Sequence, residues 1–168
     1  TFFDLIPAYP EAEGRAARLA HWLVEIQNED GSISNPKFSG SDGIVFDTGQ
    51  VLFGYVRAYE VLGGAKFLEA AEKAARWLES RQAEDGAWRR NTHMSLPHTY
   101  NARTAWALLR FAQATDASRA SKVATAKLDW CLVQEKDGFY DQCAFTEDAV
   151  PYTHTIAYAI RGLWESGR

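Results

Sequence analysis

The sequence predicts an all-α fold, namely an α/α toroid of about three helical hairpins, half of an (α/α)6 barrel. Two observations carry the prediction: a motif that occurs three times, and a second set of segments that interleaves with it. Each copy of the motif has Trp, then Gln, then Asp-Gly and a large apolar residue, and the copies span 22–33, 77–88 and 130–140. Their tryptophans are 55 and 53 residues apart, so one structural unit is repeated.

The second set consists of apolar segments that alternate with the motifs, at 46–60, 99–113 and 151–165. Their aligned arginines, which are 53 and 51 residues apart, are Arg57, Arg110 and Arg161. Two interleaved sets predict two helices in each unit. We therefore expect a single domain over residues 1–168, with hairpins at about 10–63, 64–115 and 116–168.

The two kinds of helix are predicted to lie in different environments. The motif-bearing helices, at about 10–28, 65–83 and 117–135, mix apolar and charged residues and so have one wet face, which is typical of an outer layer. The other helices are apolar all round after their first turn, which indicates an inner layer buried on all sides. The three aligned arginines are therefore expected to be structural and to pair with Glu or with outer-helix carbonyls.

An open solenoid of the TPR or HEAT kind is the alternative architecture. Those repeats are shorter, roughly 34 to 47 residues, and lack the long Asp-Gly loop, so the toroid is the better fit. Three hairpins leave the inner faces of a half-ring open to water. We expect either that a longer chain supplies the remainder or that two copies close the ring, and the chain's end after an inner helix favours a fragment.

Composition excludes several classes of function. The net charge of −4 and the absence of a basic block argue against nucleic-acid binding. No apolar run approaches the roughly 20 residues of a membrane span, and residues 1–10 do not resemble a signal peptide. The two cysteines form no disulfide framework, so a cytoplasmic location is the default expectation. No cofactor is predicted.

The three motifs resemble the QW repeats of squalene and terpene cyclases and of protein prenyltransferase β subunits, over nearly the whole chain. The resemblance implies the toroid fold, but the catalytic motifs of these enzymes do not carry over. The Asp-x-Asp-Asp run of class II cyclases and the Asp-rich metal motif of class I cyclases do not occur. Of the prenyltransferase zinc ligands only Asp85 and His154 have counterparts, because Ala87 replaces the thiolate, so no metal site is predicted.

The apolar segments are also similar to those of bacterial prenyltransferase-like toroid proteins of polysaccharide-biosynthesis clusters. More distantly, unsaturated glucuronyl hydrolases and sugar 2-epimerases use the same ring and have Asp, His and Arg around its mouth. These resemblances imply a carbohydrate-active or carbohydrate-binding protein, with lyase, hydrolase or epimerase chemistry. Two alternatives stay open: a non-catalytic scaffold or binding module, and an isoprenoid-binding relative of the cyclases.

The candidate site lies where the inner helices begin, at the mouth of the ring. In the register of the three arginines, Gln50, Arg103 and His154 occupy one equivalent position, and polar residues cluster around it. His154 and Asp47 are the candidate catalytic acid and base. The other candidates could bind a carboxylate-bearing or hydroxyl-rich ligand, and they are Gln50, His93, His98, Tyr100, Asn101, Arg103, Trp106, Tyr152 and Tyr158. Helix capping and bonds to loop carbonyls are the structural alternatives.

Overall fold

The computed structural model describes residues 2–37 and 39–168. Within these ranges the chain forms six α-helices: α1 (Glu13–Glu25), α2 (Val45–Leu62), α3 (Ala65–Arg81), α4 (Ala102–Thr115), α5 (Ser118–Val133) and α6 (Thr153–Ser166). Short 3₁₀ helices lie at Phe2–Leu5, Pro10–Ala12, His93–Ser95 and Thr99–Asn101. A small antiparallel hairpin joins β1 (Glu135–Lys136) to β2 (Phe139–Tyr140). The predicted all-α, toroid-like fold is confirmed.

The helices form two layers. In the inner layer α4 packs between α2 and α6, and in the outer layer α3 covers α2 while α5 covers α4. Two glycines allow the inner helices to approach closely. A Cβ atom on Gly49 would lie 2.5 Å from the Thr104 hydroxyl, and one on Gly162 would lie 2.5 Å from the backbone of Ala102. Glycine is therefore required where α2 and α6 meet α4.

The main core lies between the two layers. Its largest side chains are completely buried, and they include Leu52, Tyr55, Leu78, Trp88 and Leu108. Each aliphatic side chain of this size contributes about 1.5–3 kcal/mol when it is fully buried. The Tyr55 hydroxyl donates to the carbonyl of Leu23 at 2.7 Å, so the polar end of a core ring is satisfied by the first hairpin.

The motif glutamines connect one repeat to the next. Gln27 Nε2 donates to the carbonyl of Gly31 in its own turn and to that of Ala70 in α3, both at 2.9 Å. In the same way, Gln82 Nε2 donates to the carbonyls of Gly86 and of Val123 in α5. Each of these side chains therefore joins a turn to the following outer helix, which explains why Gln recurs at this position.

The inner helices are not buried on all sides, so this part of the sequence prediction is wrong. The side chains of Arg57, Arg110 and Arg161 are 35%, 44% and 60% exposed, because they face the concave side of the open arc. Their expected pairing with Glu is confirmed, through Glu60 and Glu165. None of the helices within residues 2–37 and 39–168 has the length and apolar character that crossing a membrane requires.

Candidate binding site on the concave face

One face of each inner helix lines an open cavity of about 1020 Å³ on the concave side of the arc. The residues from α2 and α4 follow the same helical spacing, and they are Gln50, Phe53, Arg57 and Glu60 on α2 and Arg103, Trp106, Arg110 and Gln113 on α4. Each residue of the first set is 53 positions before its equivalent in the second. Helix α6 adds Arg161 and Glu165. The repeat therefore places similar side chains side by side on the cavity wall.

Arg103 occupies the centre of this wall and is held in place from several sides. Its Nε donates to Gln50 Oε1 at 2.5 Å, which joins α4 to α2. Its guanidinium carbon lies 5.5 Å from the ring centroid of Phe53, 5.6 Å from that of Trp106 and 5.3 Å from that of Tyr158. Cation–π attraction and the hydrogen bond fix the guanidinium group. No salt bridge joins Arg103 to a carboxylate of the described residues.

A second positive charge lies beside Arg103. The guanidinium carbon of Arg161 is 5.4 Å from the ring centroid of Trp106, and its Nε is 3.8 Å from Glu165 Oε1. Burial and the nearby charge of Arg161 lower the pKa of Arg103. Two guanidinium groups therefore flank one indole on neighbouring helices, and they create a positive region in a protein whose net charge is −4.

The far end of the cavity is different, because its arginines are neutralised. Glu60 accepts from Arg57 at 3.0 Å and from Arg110 at 3.2 Å, and Asp4 also accepts from Arg57 at 3.0 Å. Four charged groups thus form one network that joins α2, α4 and the first 3₁₀ helix. Among the arginines of the wall in the described residues, Arg103 is the one without a carboxylate partner.

Aromatic rings form a cluster where the inner helices begin. Each ring contacts at least one other member, and the members are Phe46, His93, His98, Tyr100, Phe145, Tyr152, His154 and Tyr158. His98 stacks on Tyr100 with ring centroids 4.5 Å apart, and Phe145 lies edge-on to Tyr100. Most of the predicted mouth residues are therefore brought together, and loop residue Phe145 joins them.

Three of the predicted ligand contacts lie beneath the surface. His98, Tyr100 and Asn101 are 1%, 4% and 1% exposed. His98 Nε2 is 2.9 Å from the carbonyl of His93, and burial lowers the pKa of His98. Burial also raises the pKa of Tyr100, while Oδ1 of Asn101 has no hydrogen-bond partner in the described structure. These side chains form the floor under the mouth, and their ligand-binding role stays a prediction.

The two candidate catalytic residues have different surroundings. His154 is exposed at the mouth and packs against the rings of Tyr152 and Tyr158. Asp47 is half-buried in the first turn of α2. Burial raises its pKa, although a hydrogen bond from Asn35 acts in the opposite direction. His154 thus has ring contacts and Asp47 has a hydrogen bond to Asn35. An acid/base role for the pair stays a prediction.

Sequence reasoning missed some of the site. Arg161 pairs with Glu165 as expected, and it also lines the cavity beside Trp106, which the sequence analysis does not predict. The spacing of Gln50, Phe53 and Arg57 indicates this shared face, because residues that are three and then four positions apart lie on one side of a helix. Arg161 is the equivalent of Arg57 on α6. Phe145 lies in a loop with no helical register, so no comparable signal existed for it.

Comparison with known proteins identifies one family. The chain matches the family model of the squalene-hopene cyclase C-terminal domain over residues 8–163. No curated protein and no solved structure matches it.

Proposed function

Because the chain belongs to the squalene-hopene cyclase C-terminal domain family, we propose that its concave face is a ligand-binding site. The ligand that fits best is an acidic, hydroxyl-rich molecule such as a sugar acid. The observation that carries this proposal is the guanidinium group of Arg103, which is fixed by Gln50 and by aromatic rings without a carboxylate partner. A fixed guanidinium recognises a carboxylate through paired hydrogen bonds.

The chemistry of the wall supports a polar ligand. A sugar ring could lie against the indole of Trp106 while its acid group meets Arg103 and Arg161 on either side. Farther along the cavity, the charged groups of Glu60 and Arg110 face the same space and could bond hydroxyl groups. A hydrocarbon chain there would take these charges out of water without replacing their hydrogen bonds, which is costly.

An isoprenoid carrying a phosphate is the second candidate. The family favours it, and so does one apolar patch of the wall, where the rings of Phe53 and Trp106 are 4.5 Å apart beside Val56 and Leu109. Its phosphate would meet the same two arginines as the carboxylate of a sugar acid. The two candidates therefore share their anion site and differ in the body of the ligand.

Catalysis is a further part of the proposal. His154 would exchange a proton at the mouth, and Asp47, whose pKa is raised by burial, would act as the second acid or base. In the alternative of a binding module the ligand is released unchanged. Proton NMR of a bound glucuronate-containing disaccharide, followed over hours, separates these cases. New resonances that disappear in His154→Ala support catalysis, and an unchanged spectrum contradicts it.

Calorimetric titration with glucuronate, glucose and geranyl phosphate tests the binding proposal. We expect glucuronate to bind and Arg103→Met to weaken it about tenfold or more, since hydrogen bonds to charged groups contribute about 1.5–3 kcal/mol. Arg110→Met is the matched control, because this arginine lies on the same face but is paired with Glu60, and we expect less than about threefold loss.

The outcomes separate the candidates. Glucose should bind more weakly than glucuronate because it lacks the carboxylate. Geranyl phosphate binding without glucuronate binding would replace the sugar acid by the isoprenoid. Equal binding of glucuronate to the wild type and to Arg103→Met would contradict the proposed site.

A further inference from the structure

The concave wall carries two groups of charged side chains that lie two helical turns apart. Arg103 contacts Gln50 at one level of the wall, and Arg110 contacts Glu60 at the other. The two arginines are seven residues apart on α4, which is about 10 Å along a helix axis. We call the group formed by Arg103 and Arg161 the first subsite, and the group formed by Arg57, Glu60 and Arg110 the second subsite.

The two subsites differ in net charge. No carboxylate of the described residues pairs with Arg103 in the first subsite. In the second subsite Glu60 accepts from Arg57 and Arg110, and Asp4 also accepts from Arg57, so two positive charges meet two negative ones. An anionic group of a ligand is therefore attracted to the first subsite and gains little at the second.

The second subsite is suited to neutral hydroxyl groups. A hydroxyl group both donates and accepts hydrogen bonds, so it can donate to the carboxylate of Glu60 and accept from the guanidinium group of Arg110. Because these two groups already compensate each other's charge, a neutral partner leaves no charge unpaired. All three side chains of the subsite remain partly exposed to the cavity, so they keep bonding capacity for a ligand.

Aromatic rings line the wall between the two subsites. Trp106 lies three residues after Arg103 and four before Arg110, so it shares their helix face. Phe53 and Trp106 are half-buried, and their ring centroids are 4.5 Å apart. A sugar ring has an apolar C–H face and a polar rim. Its face can lie on these rings while its hydroxyl groups reach the charged side chains.

The wall is longer than one sugar unit. The open cavity has a volume of about 1020 Å³, whereas pockets of about 300–1,000 Å³ hold ligands of drug size. One sugar acid with its carboxylate at Arg103 would cover Trp106 and leave the second subsite empty. Two linked rings can span the distance of about 10 Å from Arg103 to Arg110.

Extending the sugar-acid site proposed above, on which this inference rests, we propose that the wall binds one uronic acid unit linked to one neutral sugar unit. The carboxylate lies at the first subsite, and neighbouring hydroxyl groups of the neutral unit bond Glu60 and Arg110 at the second. A second uronic acid would bring its carboxylate beside Glu60, where no net positive charge compensates it. The site thus distinguishes among acidic oligosaccharides as well as between acidic and neutral ones.

Calorimetric titration with four sugars tests this proposal, namely glucuronate, glucuronosyl-glucose, the glucuronate dimer and cellobiose. We expect glucuronosyl-glucose to bind about tenfold or more tightly than glucuronate, because its neutral unit adds hydrogen bonds to charged groups. The glucuronate dimer should bind more weakly than glucuronosyl-glucose because of the second carboxylate. Cellobiose should also bind more weakly, because it has no group for the first subsite.

Substitutions assign each part of the ligand to a subsite. Arg103→Met should weaken glucuronate and glucuronosyl-glucose alike. Arg110→Met should weaken glucuronosyl-glucose about tenfold, which is more than its effect on glucuronate, so the ratio of the two affinities falls towards one. Arg76→Met is the matched control, since this arginine is also paired with a glutamate but lies on α3, outside the cavity, and should leave the ratio unchanged. Circular dichroism checks that the variants are folded.

Failure of this inference is distinguishable from failure of the proposed function. Equal affinity for glucuronate and glucuronosyl-glucose would overturn the second subsite while the site at Arg103 stands. A glucuronate dimer that binds as tightly as glucuronosyl-glucose would overturn the neutral character of the second unit. If Arg103→Met weakens neither sugar, the site at Arg103 and the second subsite both fall.

Discussion

The Asp-Gly turns of the second and third repeats share one sequence motif but have different surroundings. In the second repeat Trp88 is 0% exposed and Gly86 lies against α5. In the third repeat Tyr140, the equivalent of Trp88, is only half-buried, and a Cβ atom on Gly138 would meet no other atom within 4 Å. The same motif therefore gives a buried turn only when a following outer helix covers it. The contacts that stabilise the turn are therefore those between neighbouring repeats, as in other repeat proteins.

The internal bonds of the two turns differ as well. In the second repeat Asp85 Oδ1 accepts from the amide of Ala87 at 3.1 Å, and Asp30 makes the equivalent bond to Ser32 in the first repeat. In the third repeat Glu135 Oε1 accepts from the amide of Gly138 at 2.6 Å instead. The short strands β1 and β2 flank this turn. Without a neighbouring helix, the third turn is organised by local bonds.

The largest difference should appear on truncating the motif's last aromatic residue. Trp88→Ala removes a completely buried ring and the hydrogen bond from its Nε1 to the Leu78 carbonyl, and should lower the free energy of unfolding by about 3–5 kcal/mol. Tyr140→Ala should cost about 1 kcal/mol or less. Urea unfolding followed by circular dichroism measures both, with Trp88→Phe as a milder variant that stays folded. Equal losses would contradict the comparison.

The motif glycines should give the next largest difference. Gly86 and Gly138 have φ of +88° and +84°, so alanine is strained at both positions by about 1–2 kcal/mol. Only Gly86→Ala also forces a Cβ atom against the Ala126 carbonyl, which adds about 1–3 kcal/mol. Thermal and urea unfolding of the two variants should show this extra loss. If Gly138→Ala costs as much, the third turn is covered in solution.

Removing the motif glutamines should have a smaller effect. Gln82→Ala removes two side-chain hydrogen bonds, to the carbonyls of Gly86 and Val123, and we expect a loss of about 1–3 kcal/mol. Gln134→Ala removes a bond within one helix and should cost less than about 0.5 kcal/mol. Urea unfolding of the two variants measures both losses. A Gln134→Ala loss as large as that of Gln82→Ala would contradict the smaller role given to the third glutamine.

The smallest effect is a dependence on pH. The bidentate bond from Arg89, with oxygen distances of 2.8 and 2.6 Å, lowers the pKa of Asp85 to about 2. A carboxyl whose pKa is lower in the folded state stabilises the fold above about pH 4, and this contribution is lost as the pH falls towards 2.

The stability difference between wild type and Asp85→Asn should therefore shrink between pH 4 and pH 2. The contribution should stay below about 1 kcal/mol, because the Asp85 side chain is 47% exposed and water screens the pair. Urea unfolding at several pH values measures it. Repeating the series in an Arg89→Met background should reduce the dependence to the smaller part that the Ala87 amide contributes, and an undiminished dependence there would assign it to another group.

The repeated helices could be predicted well because apolar residues recur at equivalent positions of each repeat. The third outer helix was expected at about 117–135 and is found at Ser118–Val133. The register also aligned Gln50 with Arg103, and these equivalent residues of neighbouring repeats are in direct contact. Periodicity was sufficient for these predictions because side chains at one helix position point in one direction.

Features that depend on loops or on a single exceptional residue were not predictable. The burial of His98 depends on the loop after β2, where the carbonyl of Gln142 accepts from the amide of Thr99 and Phe145 covers the rings. Lys127 is fully buried with its Nζ 3.6 Å from the ring centroid of Trp130, and burial lowers its pKa to about 8. The sequence does not indicate this burial, because it depends on how the rest of the fold packs around α5.

The bond between Arg103 and Gln50 has a consequence for how the molecule unfolds. An array of repeats behaves as a row of coupled units, and its weakest end frays first. Here Gln50 belongs to the first unit, Arg103 to the second and Arg161 to the third. A ligand bound to both guanidinium groups would stabilise the interaction between two units rather than either unit alone. Saturation with ligand would therefore sharpen a gradual, end-first loss of structure into one cooperative transition.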